Sequence, residues 1–173
     1  DGHVKIRGDL VAIAHAGYAS ELVASLLREG QESGPAYNLL CSVLRRLDEG
    51  RLSRMDLRRL ELQLLDSAGV APALDACLEC GVREAPAWVF DHDQGGLICP
   101  ACPAGVHREN LDGQVVDLLR ALQAGKGPSQ VSESAMGAAR RLLGRLVDSQ
   151  VGHPLKAREF LKQLARSPSD GRR

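Results

Sequence analysis

The chain has 173 residues, 44% hydrophobic and 25% charged, which suits one domain with a good core, or a domain with a small insertion, and excludes general disorder. No apolar run approaches the roughly 20 residues that cross a bilayer, and neither a signal-peptide segment nor a lipidation motif opens the sequence, so a soluble protein of the reducing cytoplasm is expected. Twenty-two basic residues balance twenty-two acidic ones, and zero net charge argues against a polyelectrolyte partner held by the whole molecule.

Val4, Lys5 and Ile6 read as the end of a strand without partners, so residues 1–8 are expected to be the remnant of a preceding strand or linker, in a sequence that starts partway through a larger protein. From Asp9 to about Glu29, Val11, Ala14, Tyr18, Leu22, Val23, Leu26 and Leu27 recur at helical spacing, and Gly30 offers a stop. Gly17 inside this helix costs about 1 kcal/mol against alanine, which predicts a weak point or a close packing contact. A second helix runs from about Gly34 to Glu49 with Pro35 in its first turn, and Cys41 reads as a small hydrophobe of its buried face. Ser53 followed by Asp56 resembles a capping arrangement for a third helix reaching Ser67, stopped by Gly69 and striped by Leu57, Leu60 and Leu64. Arg54 and Arg58 leave that helix on another face and form a small basic cluster with Arg45, Arg46 and Arg51.

The pairs Cys77-Leu78-Glu79-Cys80 and Cys99-Pro100-Ala101-Cys102 follow, with 18 residues between them. That spacing gathers four thiolates around one tetrahedral zinc ion. Gly81 suits a tight knuckle, and Trp88-Val89-Phe90 and Leu97-Ile98 flank the turn-prone Asp93-Gln94-Gly95-Gly96, so residues 72–108 are expected to form a zinc hairpin. Four sulfurs leave no position for water or substrate, which makes the metal structural. Two disulfides fit poorly with a leftover fifth cysteine and 3% aromatic content, and no thioredoxin-like context supports a redox pair. His107 is expected in a surface loop, outside the site.

Beyond the metal segment, Asn110 is the expected cap of a helix reaching Gln123. Gly125-Lys126-Gly127-Pro128 breaks it and lacks the spacing of a phosphate-binding loop. Further helices span about Val131 to Asp148, and then Pro154 to Ala165. The fold class expected is mainly α, a domain over residues 9–173 of about six helices carrying the inserted four-cysteine hairpin.

Between Arg140 and Arg173 nine basic residues (140, 141, 145, 156, 158, 162, 166, 172, 173) face three acidic ones (148, 159, 170). Such segregation fits either an anionic partner or a solvated helical face. In the last helix Arg158, Lys162 and Arg166 recur every four residues beside an apolar arc of Ala157, Phe160, Leu161, Leu164 and Ala165. Aligned cations repel, and a phosphate backbone or an acidic peptide would relieve that; so would Glu159 and other acidic side chains within the fold. Arg140, Arg141, Arg145, Arg158, Lys162 and Arg166 are therefore the candidate contacts for DNA or an acidic peptide, with Phe160 and Leu164 assigned to the core.

The Ala19-Ser20-Glu21-Leu22-Val23 run, the Leu74-Asp75-Ala76-Cys77-Leu78-Glu79-Cys80-Gly81 stretch, Gly95-Gly96-Leu97-Ile98-Cys99 and Leu155-Lys156-Ala157-Arg158-Glu159-Phe160-Leu161 together resemble the RecO family of bacterial DNA repair and recombination mediators, over essentially the whole chain. The resemblance implies a helical domain that in the family follows an N-terminal OB-fold barrel, here largely absent. It also implies binding to single- and double-stranded DNA, strand annealing, contact with RecR and with the acidic tail of single-strand-binding protein, and help in loading RecA, without catalysis. Tyr18, Tyr37, Trp88, Phe90 and Phe160 are too few and scattered for a base-stacking platform, so any DNA contact here should be to the backbone.

Two other classes compete. A zinc lid on a nucleotide-handling enzyme needs a catalytic constellation, and His3, His15, His92, His107 and His153 do not pair with nucleophiles at usable spacing. A zinc-ribbon adaptor in transcription would bind protein and shift no oligonucleotide.

Overall fold

The computed structural model describes residues 4–27, 34–127 and 130–166. Seven helices and three strands occur among them: α1 (Val4–Arg7), α2 (Leu10–Leu26), α3 (Gly34–Asp48), α4 (Arg54–Ser67), β1 (Trp88–Asp91), β2 (Gly96–Ile98), β3 (Arg108–Leu111), α5 (Gly113–Gln123), α6 (Glu133–Val151) and α7 (Lys156–Arg166). The mainly α architecture with a four-cysteine insertion is thus the observed one. No described helix is long and apolar enough to cross a membrane.

The expected terminal strand is instead the helical turn α1. A lone strand would leave its backbone groups without a ladder partner. Here Ile6 is buried, its N–H donates to Asp48 Oδ1 at 3.4 Å, and its carbonyl accepts from Asp9 N–H at 3.2 Å.

Asp9 caps α2, its Oδ1 accepting from the N–H groups of Val11 (2.8 Å) and Ala12 (3.3 Å). The expected end of this helix at Glu29 and its Gly30 stop lie outside the described residues. Gly17 is a packing contact: a methyl group there would stand 3.6 Å from Ala157 Cβ, so α2 and α7 approach closely. Ser53 and Asp56 form the complete capping box of α4.

Two assignments change. Cys41 is exposed, because it sits two residues before buried Val43, about 160° away around α3. The cap of α5 is Asp112, which accepts from Gln114 N–H at 2.8 Å, whereas Asn110 lies in β3 opposite Val89.

The strands form one antiparallel sheet in the order β2-β1-β3, with Phe90 facing Leu97 on one side and Glu109 on the other. Arg120 of α5 fastens this module to the helices. Its Nε donates to Leu74 O at 2.6 Å, its NH2 donates to Asp75 O (3.3 Å) and Arg83 O (3.2 Å), and its guanidinium lies 5.2 Å from the Trp88 ring centre. Phe90, Leu97 and Ile98 join Leu60, Leu64, Leu119 and Leu142 in one continuous core.

Candidate functional site

Backbone geometry brings the four cysteines together. Gly81 takes the left-handed conformation (φ 74°) and donates to Cys77 O at 2.9 Å, closing the first knuckle. Cys102 N–H donates to Cys99 O at 3.1 Å in the second, and Leu78 N–H donates to Leu97 O at 2.9 Å, laying the first knuckle against β2. The Sγ atoms of Cys77, Cys80, Cys99 and Cys102 all lie within 4.8 Å of one another. Cys80 Sγ and Cys99 Sγ stand 3.7 Å apart, while four sulfurs at about 2.3 Å from one tetrahedral zinc would stand about 3.8 Å apart. None of the five cysteines is joined in a disulfide. The donor set therefore fits a zinc ion held by four thiolates.

The surroundings prepare that charge. Burial opposes ionisation of Cys77, but backbone N–H groups of Cys80, Cys99 and Glu79 outweigh it and bring the thiol down to about 6. Hydrogen bonds to Cys80 and Cys99, with burial, push the Cys102 thiol up to about 12. Asp91 supports the module from below. Its Oδ1 accepts from Asp93 and Gln94 N–H, both at 3.0 Å, and its Oδ2 from Gly105 N–H at 2.6 Å, tying the β1–β2 turn to the chain leaving the second knuckle. His107 lies outside the cluster, exposed, with Nδ1 3.0 Å from Asp93 Oδ1.

The basic candidates separate into two groups. Arg140, Arg141 and Arg145 of α6 and Arg158 and Lys162 of α7 line a single cavity of about 720 Å³, and Arg54 and Arg58 of α4, assigned by sequence to another cluster, line it too. Arg166 is not among the lining residues. Arg46 pairs instead with Asp56 (3.2 Å) and Arg51 with Glu49 (3.6 Å), and Arg45 is exposed on α3. Leu164, assigned to the core, is half-buried and lines the cavity with Val11, Leu57, Met136 and Leu161. Cations thus rim an apolar floor.

Several rim cations already hold acids, as the reading of internal neutralisation expects. Arg158 NH1 donates to Asp148 Oδ1 (2.6 Å) and Gly144 O (3.2 Å), Lys162 pairs with Glu159 (2.6 Å), Arg54 grips Glu133 through both nitrogens (2.5 and 2.6 Å), and Arg145 pairs with Glu109. Arg140 and Arg141 have no carboxylate partner among the described residues.

Sequence reasoning missed the cavity's buried polar centre. The Tyr18 hydroxyl donates to Glu61 Oε1 at 2.5 Å, Arg58 NH2 forms an ion pair with the same oxygen at 2.8 Å, and the Arg158 guanidinium lies 5.7 Å from the Tyr18 ring centre. Burial raises the Glu61 pKa, against the pull of Arg58 and Tyr18. His15 also lines the cavity, and burial, reinforced by Arg58 and Arg140, lowers its pKa. The cavity's positive charge therefore comes from guanidinium and ammonium groups. Glu61 was readable: it sits four residues after Leu57 and three before Leu64, on the core stripe itself.

A family model described as "Recombination protein O C terminal" matches residues 7–159. The chain is similar to proteins named "DNA repair protein RecO". That of Anaeromyxobacter sp. (strain K) is 39% identical over 171 residues, covering 94% of this chain and 66% of the relative. That of Geobacter sulfurreducens is 38% identical over 163 residues (92% and 66%), and that of Myxococcus xanthus 35% over 166 residues (94% and 67%). The chain spans about 66% of the length of the first of these relatives.

Proposed function

Because this chain belongs to the RecO family, we propose that it acts as a DNA repair and recombination mediator, in the cytoplasm at the nucleoid, and without catalysing a reaction. In this reading it binds single- and double-stranded DNA without reading sequence and anneals strands. With RecR, it helps load RecA onto DNA coated by single-strand-binding protein. Zinc, held by Cys77, Cys80, Cys99 and Cys102, supplies shape and no chemistry, since four sulfurs fill its coordination sphere.

The observation that carries the reading is the convergence of Arg140, Arg141, Arg145, Arg158 and Lys162 with Arg54 and Arg58 around one apolar-floored cavity. Its volume, about 720 Å³, suits a short peptide end and not a duplex. Carboxylates of the acidic tail of single-strand-binding protein meet Arg140 and Arg141, and its apolar end enters against Leu57, Met136, Leu161 and Leu164. DNA is held by cations neutralising phosphates and releasing counterions; about five contacts to a single strand give a log–log salt slope of about −3.5. Arg166 and the cluster of Arg45, Arg46 and Arg51 belong to this second role.

The test is fluorescence anisotropy with the full chain and a labelled peptide of three aspartates followed by Ala-Leu-Phe and a free carboxylate. Saturable binding that is lost in the Arg140→Gln, Arg141→Gln double variant supports the reading. Binding that ignores both substitutions refutes it.

A further inference from the structure

Arg145 stands out among the rim cations because its counter-ion comes from the metal-bearing module. Its guanidinium lines the cavity and bonds to Glu109 Oε2. Glu109 does not line the cavity. It belongs to β3, opposite Phe90, whose side chain is fully buried, and its Oε2 also lies 3.4 Å from His92 Nε2. The carboxylate is thus fixed from behind by the sheet, and Arg145 bridges it to the cavity.

This differs from the neighbouring pairs. Arg158 is only 14% exposed and also donates to a backbone carbonyl, so it is built into the fold. Arg54 and Glu133 are both surface side chains, 66% and 77% exposed. Arg145, by contrast, is 49% exposed against a carboxylate only 22% exposed. An arriving acid must compete for Arg145 with an anchored rival, whereas Arg140 and Arg141 carry no such rival.

We infer that Glu109 is a competing counter-ion for Arg145 that restrains the cavity's hold on an acidic ligand and ties that hold to the folded zinc module. The inference rests on the reading of the cavity as an acidic-peptide site. Asp91 and the β1–β3 pairing set the position of Glu109, so whatever loosens the sheet releases Arg145 to the ligand. Glu109 is a positioning residue, acting through Arg145 alone.

The experiment is a double-variant cycle on the zinc-loaded full chain with the same labelled aspartate peptide, zinc content being measured on every variant. Glu109→Gln keeps the shape and removes the charge, and freeing a pair this exposed should tighten the peptide about two- to fivefold. Arg145→Gln should weaken it, and Glu109→Gln should then have no further effect. If Glu109→Gln costs zinc, Glu109→Asp, which withdraws the carboxylate by one methylene, should give a smaller tightening with the same dependence on Arg145. Unchanged or weaker binding in the Glu109 variants overturns the inference, as does tightening that persists without Arg145, since that would be a long-range charge effect. Loss of binding in the Arg140→Gln, Arg141→Gln double variant beside an inert Glu109→Gln refutes this inference and leaves the cavity reading standing; no binding by the wild-type chain removes both.

Discussion

Tyr18 and Glu61, 43 residues apart and both in the lining of the cationic cavity, meet through a 2.5 Å hydrogen bond. Arg58 completes the buried cluster, and each member depends on the others because a partly satisfied polar group in the interior is costly. Tyr18→Phe should lower stability by about 1–3 kcal/mol. Arg58→Met, which leaves a buried carboxylate unpaired, should cost about 3–5 kcal/mol at pH 7, read by urea denaturation. The pH dependence has a definite sign. Burial raises the pKa of Glu61 and Arg58 opposes that rise, so losing Arg58 raises it further. A raised carboxylate pKa favours the fold where the group is protonated and penalises it as pH rises. The Arg58→Met deficit should therefore shrink toward about pH 4.3, the ordinary glutamate value.

Glu21 caps a helix to which it does not belong. Its Oε1 accepts from Lys156 N–H at 2.9 Å and its Oε2 from Ala157 N–H at 2.8 Å, closing the start of α7. Glu21→Ala should cost about 0.5–2 kcal/mol, seen as a lower thermal midpoint. Because α7 carries Arg158, Leu161 and Leu164, peptide affinity should fall with it.

Asp91 predicts how the metal module responds to acid. Hydrogen bonds from Gln94 and Gly105 hold its carboxyl below the usual aspartate range, against burial. A lowered pKa stabilises the fold above the ordinary value of about 3.9 and loses that contribution as pH falls below it. Asp91→Asn should release zinc to a chelator faster than wild type at pH 7. The difference in hairpin stability between the two should close on acidification through that range.

Metal analysis should find one zinc per chain, and chelation should unpin the hairpin while sparing the helices. Zinc-finger peptides gain about 10–16 kcal/mol from their metal at neutral pH, so amide protection over residues 77–111 should collapse. Protection in α2, α4, α5 and α6 should persist, since their leucines pack on one another.

Much of this was legible in the residues. The two Cys-x-x-Cys turns and the Asp93–Gly96 turn specify local geometry, and local geometry survives folding; Ser53 and Asp56 form their box for the same reason. β3 was not legible, because Arg108, Glu109 and Asn110 are polar and extended only through pairing with β1. The meeting of Arg54 and Arg58 with Arg140 and Arg141 was equally hidden. It depends on how α4 packs against α6, and no periodicity within either helix encodes that. The docking of α7 likewise turns Arg158 inward onto Gly144 and Asp148 of α6, and the four-residue spacing of Arg158, Lys162 and Arg166 does not encode that contact.

The most direct measurement is nuclear magnetic resonance of the arginine Nε–Hε groups during titration with the aspartate peptide. Arg140, Arg141 and Arg145 should shift in saturable fashion while Arg45, Arg46 and Arg51 stay still. Shifts confined to Arg45, Arg46 and Arg51, or none at the cavity under saturating peptide, would contradict it.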